Sequence, residues 1–132
     1  MHGSKSYENT EVWNDARNLT KDVFNATKNL NMKGEYFLQN QMKKSALSIL
    51  SNIAEGLERD GNKELIQFLS VAKGSAGELR SQFLVGYDTG LISQDDFQRL
   101  HAKVVSISRQ LSGFMRYLKD SEMKGRKYQG KV

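Results

Sequence analysis

Four amphipathic segments follow one another along the chain of 132 residues, separated by breaks that contain glycine. The last segment is the most regular, because its apolar residues alternate by steps of three and four, the seam of a bundle helix. Ser93 precedes it as a predicted N-cap, and Asp95 and Asp96 fall in the first turn, where the helix dipole favours acids. The seam consists of Phe97, Leu100, Val104, Ile107, Leu111, Phe114 and Leu118.

Three further helices are predicted upstream, over approximately residues 9–30, 35–57 and 62–88. The third contains Gly74 and Gly77, although glycine inside a helix costs about 1 kcal/mol relative to alanine. Two glycines three residues apart indicate a place where another helix approaches closely, and a simple weakness of the helix is the alternative. The repeating apolar positions of the first helix are Val12, Ala16, Leu19, Val23, Ala26 and Leu30.

The second helix carries two adjacent apolar stripes. Such a wide apolar arc is expected when a helix is central in its own bundle, or when it also packs against another subunit. In the second case, Leu47, Leu50 and Leu57 are predicted to lie at an oligomer interface. The two stripes are formed by Leu38, Met42, Ile49 and Ile53, and by Leu47, Leu50, Ala54 and Leu57.

Short connections between long helices make sequence neighbours run antiparallel. The predicted fold is therefore all-α, an up-down-up-down antiparallel four-helix bundle over residues 9–119. Residues 1–8 are expected to form a disordered or tag-like leader, and residues 120–132 a flexible basic C-terminal tail. No signal peptide and no apolar run of membrane-spanning length is visible, so we expect a cytoplasmic protein without membrane contact.

The chain contains no proline and no cysteine, and two histidines, His2 and His101. Missing prolines favour long uninterrupted helices, because proline removes a backbone donor and clashes with the preceding turn. A di-iron bundle needs Glu-x-x-His pairs, but Gln98 stands three residues before His101. Zinc needs more histidine or cysteine than is present. We therefore expect no metal, no cofactor and no enzymatic activity.

The net charge of +5 is concentrated near the C-terminus, where residues 119–132 hold five bases against two acids. Short basic rows also occur on the body of the protein. Such residues neutralise phosphates in nucleic-acid complexes, although each row alone is more often a solvated face. The predicted nucleic-acid-binding residues are Lys43, Lys44, Lys73, Arg80, Lys124, Arg126 and Lys127.

A cluster of polar residues lies at the C-terminal end of the predicted second helix. Asn52, Glu55 and Arg59 are three and four residues apart and therefore share one side of the helix. The favoured interpretation is a structural polar network that fixes the turn after the helix. A site for a ligand or a partner is the alternative.

The run from Gln41 to Arg59 reads QMKKSALSILSNIAEGLER and resembles the central motif of the four-helix-bundle proteins encoded in 23S rRNA intervening sequences. Further matches in the first and third helices extend the resemblance over about residues 10–118. Lys43 and Lys44 stand where the family tends to have two arginines, and Leu50 stands where it often has a proline. We therefore predict a second helix that is continuous through Leu50.

The resemblance implies a bundle that assembles as a ring-shaped homo-oligomer, a pentamer, without enzymatic activity. The family is similar to the accessory proteins of diversity-generating retroelements, whose basic pentamers bind nucleic acid and a reverse transcriptase. We therefore expect an oligomeric protein that associates with RNA through phosphate contacts. The alternative is a protein-interaction scaffold, or an accessory subunit for a protein partner such as a reverse transcriptase.

Overall fold

Four α-helices make up the computed structural model, which describes residues 10–29 and 32–129, with the backbone alone for residues 126–129. No strand occurs within these ranges, so the prediction of an all-α fold with four helices is confirmed. The helices are α1 (Glu11–Ala26), α2 (Tyr36–Glu58), α3 (Asn62–Asp88) and α4 (Gln94–Gln129).

The core lies between helices that are neighbours in the order α1, α2, α3, α4 and back to α1. Its fully buried side chains include Leu19 of α1, Ile49 of α2 and Phe83 of α3. The predicted seam of α4 faces this core: its five aliphatic members are buried, while Phe97 and Phe114 are half-buried and pack against it. Burial of these apolar faces is the main contribution that holds the four helices together.

The first helix ends at Ala26, four residues before the predicted end. The Thr27 amide donates to the Val23 carbonyl, and its hydroxyl donates to the Phe24 carbonyl. The next two amides, of Lys28 and Asn29, bond three residues back rather than four, which is the geometry of a tightened last turn. Leu30, the predicted last apolar position, lies outside the described residues.

Helix α2 approaches α3 closely at Gly56, a glycine of the motif from Gln41 to Arg59 for which no packing role was predicted. A Cβ atom on Gly56 would lie 2.9 Å from both Leu65 Cδ1 and Phe68 Cβ. At Gly74 and Gly77, by contrast, an added Cβ would meet nothing within 4 Å. The interpretation of these two glycines as a close helix approach is therefore wrong within this chain, and both lie on an open surface of α3.

Helix α2 is continuous from Tyr36 to Glu58, so the predicted continuity through Leu50 is confirmed. The residues of its second apolar stripe differ in burial. Leu47 is 44% exposed, whereas Leu50 is half-buried against the core. Leu57 is 8% exposed and belongs to the core itself. This corrects the expectation for Leu57, because a core side chain has little surface to offer a neighbouring subunit.

Helix α4 continues to Gln129, so residues 120–129 are helical where a flexible tail was expected. The segment contains no proline, and Asp120 and Lys124 are four residues apart, a spacing at which opposite charges support a helix. The leader over residues 1–8 and the last residues, 130–132, lie outside the described ranges. Although α4 has 36 residues, no described helix is long and apolar enough to cross a membrane.

Backbone hydrogen bonds to the Gly86 carbonyl stabilise the turn between α3 and α4. The Gly86 oxygen accepts from the amides of both Leu91 and Ile92, and Gly90 adopts a φ of +76° that favours glycine. Ile92 packs directly onto Gly86, where an added Cβ would lie 2.4 Å from Ile92 Cδ1. The end of α3 and the start of α4 are therefore fixed close together.

Candidate nucleic-acid interface

A basic groove runs between α3 and α4, and we define it by Lys73 and Arg80 from α3 and Arg109 and Arg116 from α4. In each pair the two residues are seven apart, which brings them to nearly the same side of their helix. Arg109 lies at the centre, because it lines the groove together with Arg80 on one side and with Lys73 and Arg116 on the other.

Small, hydroxylated and aliphatic residues form the rest of the groove, namely Ala76 and Gly77 on α3 and Val104, Val105, Ser108, Ser112 and Gly113 on α4. An added Cβ at either glycine would meet nothing within 4 Å, so the space above them is open. Hydroxyls and arginine side chains are common donors to phosphate oxygens. The groove thus combines room for an extended anion with donors along both walls.

The four cations of the basic groove carry positive charge that no acid among the described residues compensates by an ion pair. None of them forms an ion pair with another side chain that the structure describes. Glu78 is the one acid between Lys73 and Arg80, but it points about 140° away from Lys73 around the helix. Helix α4 has no acid between Asp96 and Asp120. The groove is therefore a surface of concentrated positive potential.

The opposite side of α4, which faces α1, has its charges paired. Asp22 of α1 accepts from Lys103 and lies 3.3 Å from Arg99, and Asp96 lies 3.1 Å from Arg99. Gln110 donates to Asp15 at 2.8 Å. Two faces of one helix therefore differ in charge balance, and the unpaired cations lie on the face toward α3.

Three aromatic rings follow Arg80 at one end of the basic groove. Arg80 Nε donates to His101 Nε2 at 3.1 Å, which orients the guanidinium. The His101 ring lies 5.1 Å from that of Phe97, and Phe97 stacks on Tyr87 with ring centroids 4.7 Å apart. His101 is half-buried, and its hydrogen bond ties Arg80 of α3 to α4.

The other predicted cations do not join the basic groove. Lys43 lies over the ring of Phe24, 5.3 Å from its centre, on the side of α2 that faces α1. Lys44 is exposed on α2, and Lys124 is exposed near the end of α4. The side chains of Arg126 and Lys127 lie outside those that the structure describes.

The predicted polar network of Asn52, Glu55 and Arg59 separates into two groups. Arg59 pairs with Glu55 at 2.6 Å and lies over the ring of Phe68, on α3. Asn52 instead donates to the Ser48 carbonyl at 2.8 Å, and the Ser48 and Ser75 hydroxyl oxygens share a hydrogen bond of 2.7 Å. Both groups tie α2 to α3, which favours the structural interpretation, but they do not form one network.

Arg109 and Arg116 were missed in the sequence. Two features of the sequence could have identified them. They are seven residues apart, as Lys73 and Arg80 are, and they lie within residues 97–119, a stretch of 23 residues that contains no acid. The spacing shows that they share a face of α4. Only the packing of α4 against α3 shows that this face meets the basic side of α3.

Comparison with known proteins agrees with this fold. A crystal structure at 1.70 Å of a protein of unknown function from the S23 ribosomal protein family of Bacteroides thetaiotaomicron VPI-5482 superposes with a TM-score of 0.74. It is 19% identical in sequence, and the match covers 79% of this chain and 97% of that one. No curated protein matches the chain. The family model of 23S rRNA-intervening sequence proteins matches residues 8–113, and the chain therefore belongs to that family.

Proposed function

We propose that this protein is a non-enzymatic helical-bundle protein of the cytoplasm that binds RNA through phosphate contacts in the basic groove. The observation that carries the proposal is the convergence of four cations from two helices on one open groove, where none has an acidic partner among the side chains that the structure describes. Lysine and arginine at such a surface displace condensed counterions from the phosphates, which favours binding with little reading of the bases. The family's name, which refers to 23S rRNA, makes RNA the first ligand to test.

Salt dependence tests this proposal directly. If one chain neutralises four phosphates of a single strand, affinity should fall about 50-fold between 50 and 200 mM salt. Fluorescence anisotropy with a labelled RNA over this range of salt measures the change. A constant affinity across the range, or no binding at 50 mM salt, would contradict the proposal.

The proposed assembly is a ring of antiparallel up-down-up-down bundles. The links of residues 59–61 and 89–93 are short, and helices adjacent in sequence are the ones in contact, which supports that topology. Leu47 of α2 and Val71 and Val85 of α3 are large exposed apolar residues, which supports contact with further copies. A ring would repeat the basic groove around its axis and multiply the charge that RNA meets.

Light scattering tests the assembly. We expect a mass near 75 kDa at micromolar concentration, five times the 15.0 kDa of one chain. The number five follows from the family resemblance, and any closed ring of three or more chains would retain the repeated groove. A mass of about 15 kDa would contradict the assembly.

A protein-interaction scaffold is the second candidate function. It is favoured by Tyr36 and Phe37 at the start of α2, of which Phe37 is 80% exposed, because adjacent exposed aromatics are typical of protein contact surfaces. A reverse transcriptase is one such partner. Purification from the native host separates the candidates: a stoichiometric protein without nucleic acid supports the scaffold, and co-purifying RNA supports the groove.

A further inference from the structure

We propose that the basic groove ends in a base-stacking site at Tyr87, so that the RNA it holds is single-stranded and places one unpaired base on this ring. The inference rests on the proposed function and names the class of RNA. It follows from three observations, which are the position of Tyr87, the support of its ring and the composition of the groove.

Tyr87 continues the basic row of α3. Lys73, Arg80 and Tyr87 follow at intervals of seven residues, which correspond to steps of about 10.5 Å along the helix axis. The side chains turn by only about 20° from one to the next. The contacts from Arg80 through His101 and Phe97 to Tyr87 link this ring to the groove without a gap. A strand that follows the row of cations therefore reaches Tyr87 next.

The Tyr87 ring is supported on one side and 40% exposed overall. Phe97 stacks against it at an angle of 24°, and Phe97 in turn packs on His101. The Tyr87 carbonyl accepts from the Gly90 amide at 3.0 Å, within the turn that joins α3 to α4. Because Phe97 holds the ring in place, a base that stacks on the exposed part of Tyr87 does not need to order the ring first.

The residues that line the groove suit the phosphate-ribose backbone of RNA, whereas the residues that suit an RNA base lie beyond Arg80. Between the cations the groove offers small, hydroxylated and aliphatic side chains, which provide no flat aromatic surface for a base. At the Arg80 end, Tyr87 and Phe97 provide such a surface. Single-strand-binding proteins combine a positive groove with aromatic side chains in this way. In a regular duplex the bases are already stacked on each other, so Tyr87 would gain no contact with them.

The test compares Tyr87→Leu and Tyr87→Phe with the wild type on two probes, a 12-nucleotide oligoadenylate and a blunt 12-base-pair RNA duplex. Leucine keeps an apolar side chain but removes the ring, whereas phenylalanine keeps the ring. Tyr36→Leu is the matched control, since Tyr36 is also an exposed tyrosine but belongs to α2. Affinities are measured by fluorescence anisotropy, and circular dichroism checks that each variant is helical.

We expect Tyr87→Leu to bind the oligoadenylate about tenfold more weakly than the wild type, because stacking on an aromatic ring is lost. Tyr87→Phe and Tyr36→Leu should bind it as the wild type does, and no variant should change its affinity for the duplex. Wild-type affinity of Tyr87→Leu for the oligoadenylate, or an equal loss on both probes, would overturn the inference. The phosphate-binding function would fail separately, if substitution of the groove cations left both affinities unchanged.

Discussion

Replacing Arg80 and Arg109 together by alanine is expected to weaken RNA binding roughly 25-fold at 0.1 M salt, because each lost phosphate contact forfeits the counterions that it releases. Both residues line the same part of the basic groove, one from each helix. Both are exposed, so their removal should leave the core unaffected. Fluorescence anisotropy with a single-stranded RNA measures the loss, and circular dichroism confirms that the variant is folded.

The matched control is Arg99→Ala combined with Lys103→Ala. This variant removes the same total formal charge, in this case from α4 alone, but its two cations already pair with Asp22 on the side toward α1. We expect a change in RNA affinity of less than about threefold, since the charge removed was compensated and lies away from the groove. Equal losses from the two double variants would show that net charge, and not the groove, determines binding.

Phe83→Ala is expected to have the largest effect on stability, a loss of about 3 to 5 kcal/mol in the free energy of unfolding. Phe83 is fully buried on α3, where its ring fills the core between the helices. Alanine would leave a cavity that the surrounding helices cannot close completely. Urea denaturation followed by circular dichroism measures the change, with wild type and variant at the same protein concentration because association shifts the transition.

Leu84→Ala serves as the control for this prediction, because Leu84 is the next residue and is exposed. Its truncation should cost less than about 1 kcal/mol, since surface substitutions seldom change stability by more. Similar midpoints of urea denaturation for Phe83→Ala and Leu84→Ala would contradict the assignment of Phe83 to the core face of α3 and of Leu84 to its exposed face.

Much of the fold could be predicted because the apolar spacing is regular and the helix ends are marked by local chemistry. Helix α3 spans Asn62–Asp88, as predicted, and Gly90 provides the positive φ beyond its end. Ser93 was predicted as the N-cap of the last helix, and its hydroxyl accepts from the Asp96 amide at 3.2 Å. These features act over three or four residues, so they are visible in the sequence.

The ends of α1 and α4 could not be predicted, because neither carries such a local mark. The apolar repeat of the first helix continues to Leu30, but the helix ends at Ala26, and the amides of Lys28 and Asn29 bond three residues back instead of four. At the other terminus, basic residues in 119–132 resembled a solvated tail, although lysine and arginine are good helix formers. Charge alone therefore did not distinguish an exposed helix from an irregular tail.

Half of the candidate site was visible in the sequence. Lys73 and Arg80 were identified by their spacing, but a row of cations on one helix does not reveal which helix lies beside it. The α3–α4 packing brings Arg109 and Arg116 to the same groove and leaves Lys43 with Phe24 on another side. Sites assembled from two helices depend on their relative rotation, which the spacing within each helix does not determine.

Phosphate binding in the basic groove is tested by comparing the salt dependence of RNA binding by the wild type with that of a variant lacking all four groove cations. With oligoadenylate as the ligand, a plot of log affinity against log salt should be shallower for the variant by about 3, since four phosphate contacts of a single strand are lost. Equal slopes would place the phosphates elsewhere on the protein and contradict the account. The variant carries alanine at Lys73, Arg80, Arg109 and Arg116.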